Sequence, residues 1–508
     1  MKFRLNQYRN VVFCTALLNT WAIFFGCGGH DAAPTSPKNE SFTLADVQMD
    51  EIPPTEFDLL PVSNLNVTDA VLDEELTHFD GAAALWLGDT RRRSYVVEIP
   101  ARQKIPKNTL AGEEQPPLVM VHGLGDAGMR DFYPVLETLS ETRDLVLIDL
   151  PGLGRSEVPD DTALTPVYFA RRVAQVIQAR IDGPFDLLGH SLGGNVCLTL
   201  ASHSALSLRR LVIVDAAGVL HREAFVKKQV DAGAAPLSKL HKGLGGLVKG
   251  VGKTLVEVTG VVEPSDARLA GGSEKLSTPG ARAATALILH RIGAYLPAIT
   301  APTLLVWGEN DAVAPLRTGL LLWDRIAAAR LSVLADVGHV PMTDAPEEMV
   351  KRVSRFLDSA PTIPFLPKTA PGQSSKTVNC KGRGEAHITE NSTSLHIISC
   401  PSILIENASF KQLRIENSTV EMTGITVTGG TTVRNSRIVI TGGRLSGDIG
   451  LYIDNVTADI AGSFIDGRTH AVAAKTSSRL LFSAVVIHSA HYHGAVHERV
   501  ALAAKQAL

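Results

Sequence analysis

Between residues 118 and 334 the chain alternates short, near-continuous apolar runs with longer stretches of mixed polarity. The runs are LVMV (118–121), LVLID (145–149), FDLLG (185–189), LVIVD (211–215), TLLVW (303–307) and LSVL (331–334). A strand that is apolar on both faces has to be covered on both. The pattern therefore predicts a doubly wound α/β domain, with a mostly parallel sheet between helical layers. Ligands of such sheets sit beyond the carboxyl ends of the strands, so the loops after these runs are where chemistry is expected.

The alternation lapses between Asp215 and about Ile299, which predicts an insertion of helical character over the sheet. Within it, at about 100° per residue, Leu240, Leu244, Leu247, Val248, Val251, Leu255 and Val258 share a face opposite Lys239, Lys242, Lys249 and Lys253. Five glycines at 243, 245, 246, 250 and 252 weaken that helix. It reads as a roof over a pocket, with a mobile basic lid that meets a lipid surface as the sharper alternative.

Past a Pro-rich stretch at 359–377 the pattern changes. An aliphatic residue, a charged residue and Asn recur at 405–407, 415–417, 433–435 and 453–455 among short β-branched runs. Spacings of 18 and 20 between the later asparagines predict the rungs of an all-β parallel solenoid over 378–508, with a β-sandwich as the alternative. The linker predicts that few contacts cross between this region and the α/β domain.

The N-terminus reads as an address. Lys2, Arg4 and Arg9 precede an apolar run from Val11 to Phe25, which ends at Gly26-Cys27. The run is too short and wrongly flanked for a spanning helix, and it fits a secretory signal. Residues 1–27 are assigned to that signal and 28–78 to a tether and N-terminal extension. The α/β core is expected over 79–215 and 300–358, with a helical cap over 216–299.

Composition narrows the function classes. The 508 residues carry a formal net charge of -3 and are 45% hydrophobic, which gives no electrostatic footprint for nucleic acid. Five cysteines cannot make a disulfide-dense scaffold. Cys197 reads as buried and free, whereas Cys380 and Cys400 are candidates for a disulfide across one rung. His488, His491, His493 and His497 form a cluster without a nearby ligand constellation, so no metal is assigned. No motif calls for a cofactor.

The chemistry gathers around Gly189-His190-Ser191-Leu192-Gly193, a G-x-S-x-G pentapeptide directly after an apolar run. A serine on a sharp strand-to-helix turn projects its Oγ above the sheet, and the backbone N–H of Leu192 opens the following helix. A hydroxyl needs a base, and the base needs an orienting carboxylate. Asp311 follows TLLVW, with Glu309 and Asp336 as neighbouring acids, and His339 follows the last run in Gly338-His339. Upstream, His122-Gly123-Leu124-Gly125 places the Leu124 N–H as a second oxyanion donor, with His122 as a brace. Asp149 and Arg155 are expected to fix the loop DLPGLGRS.

These stretches resemble motifs of the α/β-hydrolase superfamily over roughly Phe79 to Asp358: HGLGD, DLPGLGRS, LLGHSLGG, WGENDAVAP and DVGHVPMTDAPEEM. The resemblance implies Ser191 as nucleophile, His339 as general base and then acid, Asp311 as its partner, and Leu124 with Leu192 as oxyanion donors. Serine rather than aspartate at 191 ends the likeness to haloalkane dehalogenases and epoxide hydrolases at the fold. Gly26-Cys27 likewise resembles a bacterial lipoprotein signal, with Cys27 lipidated. The C-terminal region resembles right-handed parallel β-helix domains.

The expectation is an exported cell-envelope serine hydrolase, membrane-anchored through Cys27, acting on a small-molecule ester or lipid. The alternatives are C–C, amide or perhydrolysis chemistry on the same residues, or a surface adhesin whose solenoid binds a polymer or protein partner.

Overall fold

In the strands that build the central sheet, alternate residues face opposite apolar layers. Val119, Val121, Ile148, Leu187, Ile213, Leu305 and Trp307 pack into one. Leu118, Met120, Leu147, Leu188, Val212 and Val306 pack into the other. The computed structural model describes residues 65–103, 115–159, 162–203, 206–221, 278–358 and 375–508. The signal with Cys27, the tether to about Asn64, the helix at 240–258 with most of the 216–299 cap, and most of the 359–377 linker lie outside these residues.

The sheet has nine strands in the order β1-β2-β3-β5-β4-β6-β7-β8-β9. They are β1 (Val67–Ala70), β2 (Ala83–Asp89), β3 (Arg92–Ile99), β4 (Leu118–Val121), β5 (Leu145–Ile148), β6 (Phe185–His190), β7 (Leu208–Val214), β8 (Thr303–Gly308) and β9 (Ala329–Leu334). From β5 to β9 all neighbours pair in parallel. The first three strands form an antiparallel meander joined to β5. The apolar runs of the sequence correspond to β4–β9. The meander has no such run to announce it, because β1 is largely exposed and β3 opens with two arginines.

Helices cover both faces: α1 (Tyr133–Leu139), α2 (Pro166–Arg180), α3 (Leu192–His203), α4 (Pro279–Leu289), α5 (Leu316–Arg325), α6 (Pro341–Asp344) and α7 (Pro346–Asp358). Local chemistry sets their starts. The Thr165 hydroxyl accepts from Tyr168 N at 3.1 Å and Thr278 from Ala281 N at 3.2 Å, each with proline at the first helical position. Helix α7 buries Met349, Val350, Val353, Phe356 and Leu357 along one stripe against the sheet.

Residues 375–508 are all β. Strands β10 (Ser375–Asn379), β12 (Ser392–Ile398), β14 (Ser409–Glu416), β17 (Thr431–Thr441), β18 (Arg444–Ala461) and β19 (Phe464–Ala474) pair in parallel, each with the strand about one rung further along. Strands β11 (Glu385–Ile388), β13 (Ser402–Glu406), β15 (Thr419–Thr423) and β16 (Thr426–Val427) lie between them in the chain. Like therefore stacks on like: Ile397 on Ile415, Ile415 on Val433, Val433 on Ile453. Between them Asn407, Asn417, Asn435 and Asn455 take φ of 51°, 50°, 46° and 54°, the left-handed region that asparagine tolerates. Asn417, Asn435 and Asn455 thus form one recurrent corner, whereas Asn407 lies against Gly424. Serines bridge the corners: Cys400 N donates to Ser418 Oγ, and Ser418 N to Ser436 Oγ, both at 3.0 Å. Cys380 and Cys400 are disulfide-bonded, and Cys197 is buried and free. Two antiparallel pairings, β20 (Ser478–Ser483) with β23 (Arg499–Leu502) and β21 (Val485–His488) with β22 (His493–Val496), close the C-terminal end.

The expectation of few crossing contacts fails. Ala461 and Ala484 of the ladder join the same apolar cluster as Leu321 of α5 and Ile292. Arg317, near the start of α5, holds both carboxylate oxygens of Asp459 at 2.9 Å and the Thr441 hydroxyl at 2.8 Å. Arg291 pairs with Glu498 at 2.9 Å, and His221 N donates to Ser483 Oγ at 3.0 Å. A proline-rich connection records how two regions are joined, and complementary surfaces elsewhere decide whether they pack.

Candidate active site

Strand β6 runs buried to His190, the chain turns at Ser191, and α3 begins at Leu192. Ser191 has φ 52°, a strained value for a side chain other than glycine or asparagine. The turn is held from both sides: Ser191 N donates to Val214 O at 3.0 Å, and its carbonyl accepts from Asn195 N and Ala217 N, each at 3.2 Å. The flanking glycines are sterically required. A Cβ on Gly189 would meet the Gly193 carbonyl, and one on Gly193 would run into the carbonyls of Val121 and His122.

The structure brings Ser191, His339 and Asp311 together from three separate loops at the carboxyl edge of the sheet. Ser191 Oγ lies 2.9 Å from His339 Nε2, and His339 Nδ1 lies 2.8 Å from Asp311 Oδ2. The other carboxylate oxygen, Asp311 Oδ1, accepts from Val313 N at 2.7 Å and Ala314 N at 2.9 Å. All three residues are 5–7% exposed, so the hydrogen bonds work in a largely water-free setting. Of the neighbouring acids, Glu309 accepts from Asp336 N at 3.2 Å, and neither is a partner of His339.

His190, the second residue of the pentapeptide, supports this arrangement. Its Nε2–H donates to the His339 carbonyl at 2.8 Å, and its other ring nitrogen is buried against Gly123. Complete burial, followed by the neighbouring His339, pushes its pKa down to about 3, so the ring is neutral. His122 is placed the same way. Leu150 N donates to its Nε2 at 2.9 Å, which leaves Nδ1 to donate to Gly123 O at 2.6 Å.

Gly123 packs this loop against the Ser191 turn: a Cβ there would lie 3.2 Å from Ser191 Cβ. Leu124 follows it, half-buried, and Leu192 opens α3, whose first amides have no partner within the helix. Asp149 holds the neighbouring loop by accepting from Met129 N at 2.7 Å and Arg155 N at 2.8 Å. Its burial raises its pKa above the usual carboxylate range.

The histidines at 488–497 belong to the ladder and not to the three loops that hold Ser191, Asp311 and His339. His488 bonds Asp466 at 2.8 Å and sits across the β21–β22 pair from His493, while His497 is buried. Among the described residues no group of three or more His, Cys, Asp and Glu side chains is arranged to hold a metal ion.

One residue beside the site was not anticipated from the sequence. Asp215, directly after β7, is completely buried with φ 46°, and its Oδ1 accepts from Gly308 N at 2.9 Å. Its available signal was position: an acid that ends an apolar strand at the edge where Asp311 and His339 also lie.

A hydroxyl, an imidazole and a carboxylate in this order can activate the hydroxyl as a nucleophile. Comparison with known proteins agrees with the architecture. Residues 118–352 match the alpha/beta hydrolase family. The chain is 29% identical over 249 residues to pimeloyl-(acyl-carrier protein) methyl ester esterase of Nitrosomonas europaea, covering 46% of this chain and 93% of that protein. It is 28% identical over 253 residues to 2-hydroxymuconate semialdehyde hydrolase of Pseudomonas sp., covering 48% and 87%. A solved esterase from Exiguobacterium antarcticum aligns with 53% of this chain and 96% of its own at 22% identity, TM-score 0.38. Residues 118–352 thus carry the pattern of the alpha/beta hydrolase family, and the similarity to these proteins supports a hydrolase of that type.

Proposed function

We propose that the protein is a serine hydrolase that cleaves a carboxylic ester through an acyl-enzyme. The observation that carries the reading is the unbroken hydrogen-bonded run from Ser191 Oγ through His339 to Asp311, on a serine held at φ 52°. Ser191 Oγ attacks the ester carbonyl while His339 Nε2 takes its proton, and Asp311 stabilises the imidazolium through Nδ1. The N–H groups of Leu124 and Leu192 stabilise the tetrahedral oxyanion. His339 then returns the proton to the departing alcohol, and water repeats the sequence to free the acid.

The test is a chromogenic ester series of increasing acyl length with Ser191→Ala as control. Turnover should fall on the order of a millionfold in the variant, with its melting temperature unchanged. A serine-reactive phosphonate should label Ser191 alone; activity that survives in the variant overturns the reading. A second reading, hydrolysis of a carbon–carbon bond, is favoured by the similarity to a 2-hydroxymuconate semialdehyde hydrolase, and a vinylogous diketone substrate separates the two.

The same proposal includes export, with lipidation at Cys27 and the ladder as a β-solenoid that meets a polymer or protein partner. Its support is the basic and then apolar start that ends at Gly26-Cys27. The mature protein should partition into detergent, and Cys27→Ser should release it or leave the precursor uncleaved. A fully aqueous wild-type protein refutes the anchor.

A further inference from the structure

Asp215 and Asp311 stand on either side of Gly308. The Gly308 N–H donates to Asp215 Oδ1 at 2.9 Å, and the Gly308 carbonyl accepts from Asp311 N at 3.3 Å. The second Asp215 oxygen, Oδ2, is buried and takes no donor among the described residues, and the Asp215 side chain interacts with that of Asp311. Asp311 in turn receives two loop amides and the His339 ring, which makes it the acid that carries the charge. Two buried carboxylates in contact cannot both ionise, so one proton stays with the pair. The charged groups that bear on Asp215 are the acids Asp311 and Asp344 of α6, with His339 bonded to the far side of Asp311. Burial first, and then the Asp311 charge, hold the Asp215 carboxyl well above the ordinary range.

We propose that Asp215 is a positioning residue for the site: a neutral carboxylic acid whose Oδ2–H donates to the Asp311 carboxylate and fixes its orientation toward His339. The inference rests on Ser191, His339 and Asp311 acting as a triad. Donation from Asp215 draws charge from Asp311 and so limits how strongly Asp311 favours protonated His339. Loss of the donor therefore leaves His339 more basic.

The experiment compares Asp215→Asn and Asp215→Ala in the full chain. Asparagine keeps a donor toward Asp311 and tolerates φ 46°, so its kcat should stay within about threefold of wild type. Alanine should lose roughly ten- to a hundredfold in kcat at near-constant KM, with the acid limb of kcat/KM moved to higher pH by about half a unit or more. A merely structural role would lower the amount of folded enzyme without moving that limb.

Wild-type kcat and an unmoved acid limb in Asp215→Ala overturn the proposal. If that variant does not fold, Asp215→Asn decides: activity near wild type supports a donor role, and a loss of a hundredfold overturns it. A wild-type enzyme without ester or carbon–carbon hydrolysis, or one indifferent to Ser191→Ala, would instead sink the triad reading on which this rests.

Discussion

The α/β region and the C-terminal ladder use the same strained backbone region for opposite ends. In the first, φ 52° at Ser191 occurs beside a cluster of unlike groups, each with one partner that no other residue could replace. In the second, φ near 50° recurs at Asn417, Asn435 and Asn455, each corner stacked on the next. Strain at a unique position is sustained by contacts that converge from several loops, and strain at a repeated one by residue choice and by stacking. Damage should therefore be severe and specific in the first region, mild and distributed in the second.

The largest effect expected within this comparison is an acid one in the α/β region. His190 is held near pKa 3 against an ordinary 6.5, so the folded state resists the proton that the unfolded chain accepts. The stability this confers is present above pH 6.5 and is lost as the pH falls toward 3. At most about 5 kcal/mol is at stake, because each tenfold loss of proton affinity corresponds to about 1.4 kcal/mol. Denaturant unfolding of wild type between pH 7 and 4 should show a steep decline, and His190→Gln a shallower one. Equal slopes would mean that another group drives the acid limb.

A smaller effect is expected where the two regions meet. Arg317 and Asp459 are mostly buried, and loss of one partner leaves the other uncompensated. Arg317→Ala should cost about 2–4 kcal/mol of stability while kcat/KM of the folded enzyme changes little. Thermal unfolding of the single and double variants gives the coupling. A variant as stable as wild type would show that this pair adds nothing to the contact between the two regions.

The smallest effect belongs to a single corner. Asn435 is exposed, so Asn435→Ala removes little packing and should cost about 1–2 kcal/mol through its φ of 46°, whereas Asn435→Gly should be close to neutral. If both cost the same, the hydrogen bond from Asn455 Nδ2 to Asn435 Oδ1, and not the backbone, holds the corner.

Much of this was legible in the chain because the relevant physics is local. Apolar runs with no polar alternation demand a sheet covered on both faces, and β4–β9 are such strands. Gly189 and Gly193 beside Ser191 betray a turn too tight for side chains, and an asparagine every 18–20 residues betrays a repeated corner. The strands β1–β3 escaped notice because strands with exposed positions and charged starts look like loops in one dimension. Other properties are not local at all. Which acid reaches His339 depends on how three loops meet above the sheet, and Asp215 becomes significant only because burial sets it against Asp311. The packing of Arg317, Ala461 and Ala484 across the two regions joins positions more than a hundred residues apart in sequence. Residue pattern determines which faces must be buried, whereas the folded chain decides what buries them, because that choice depends on surfaces that exist only after folding.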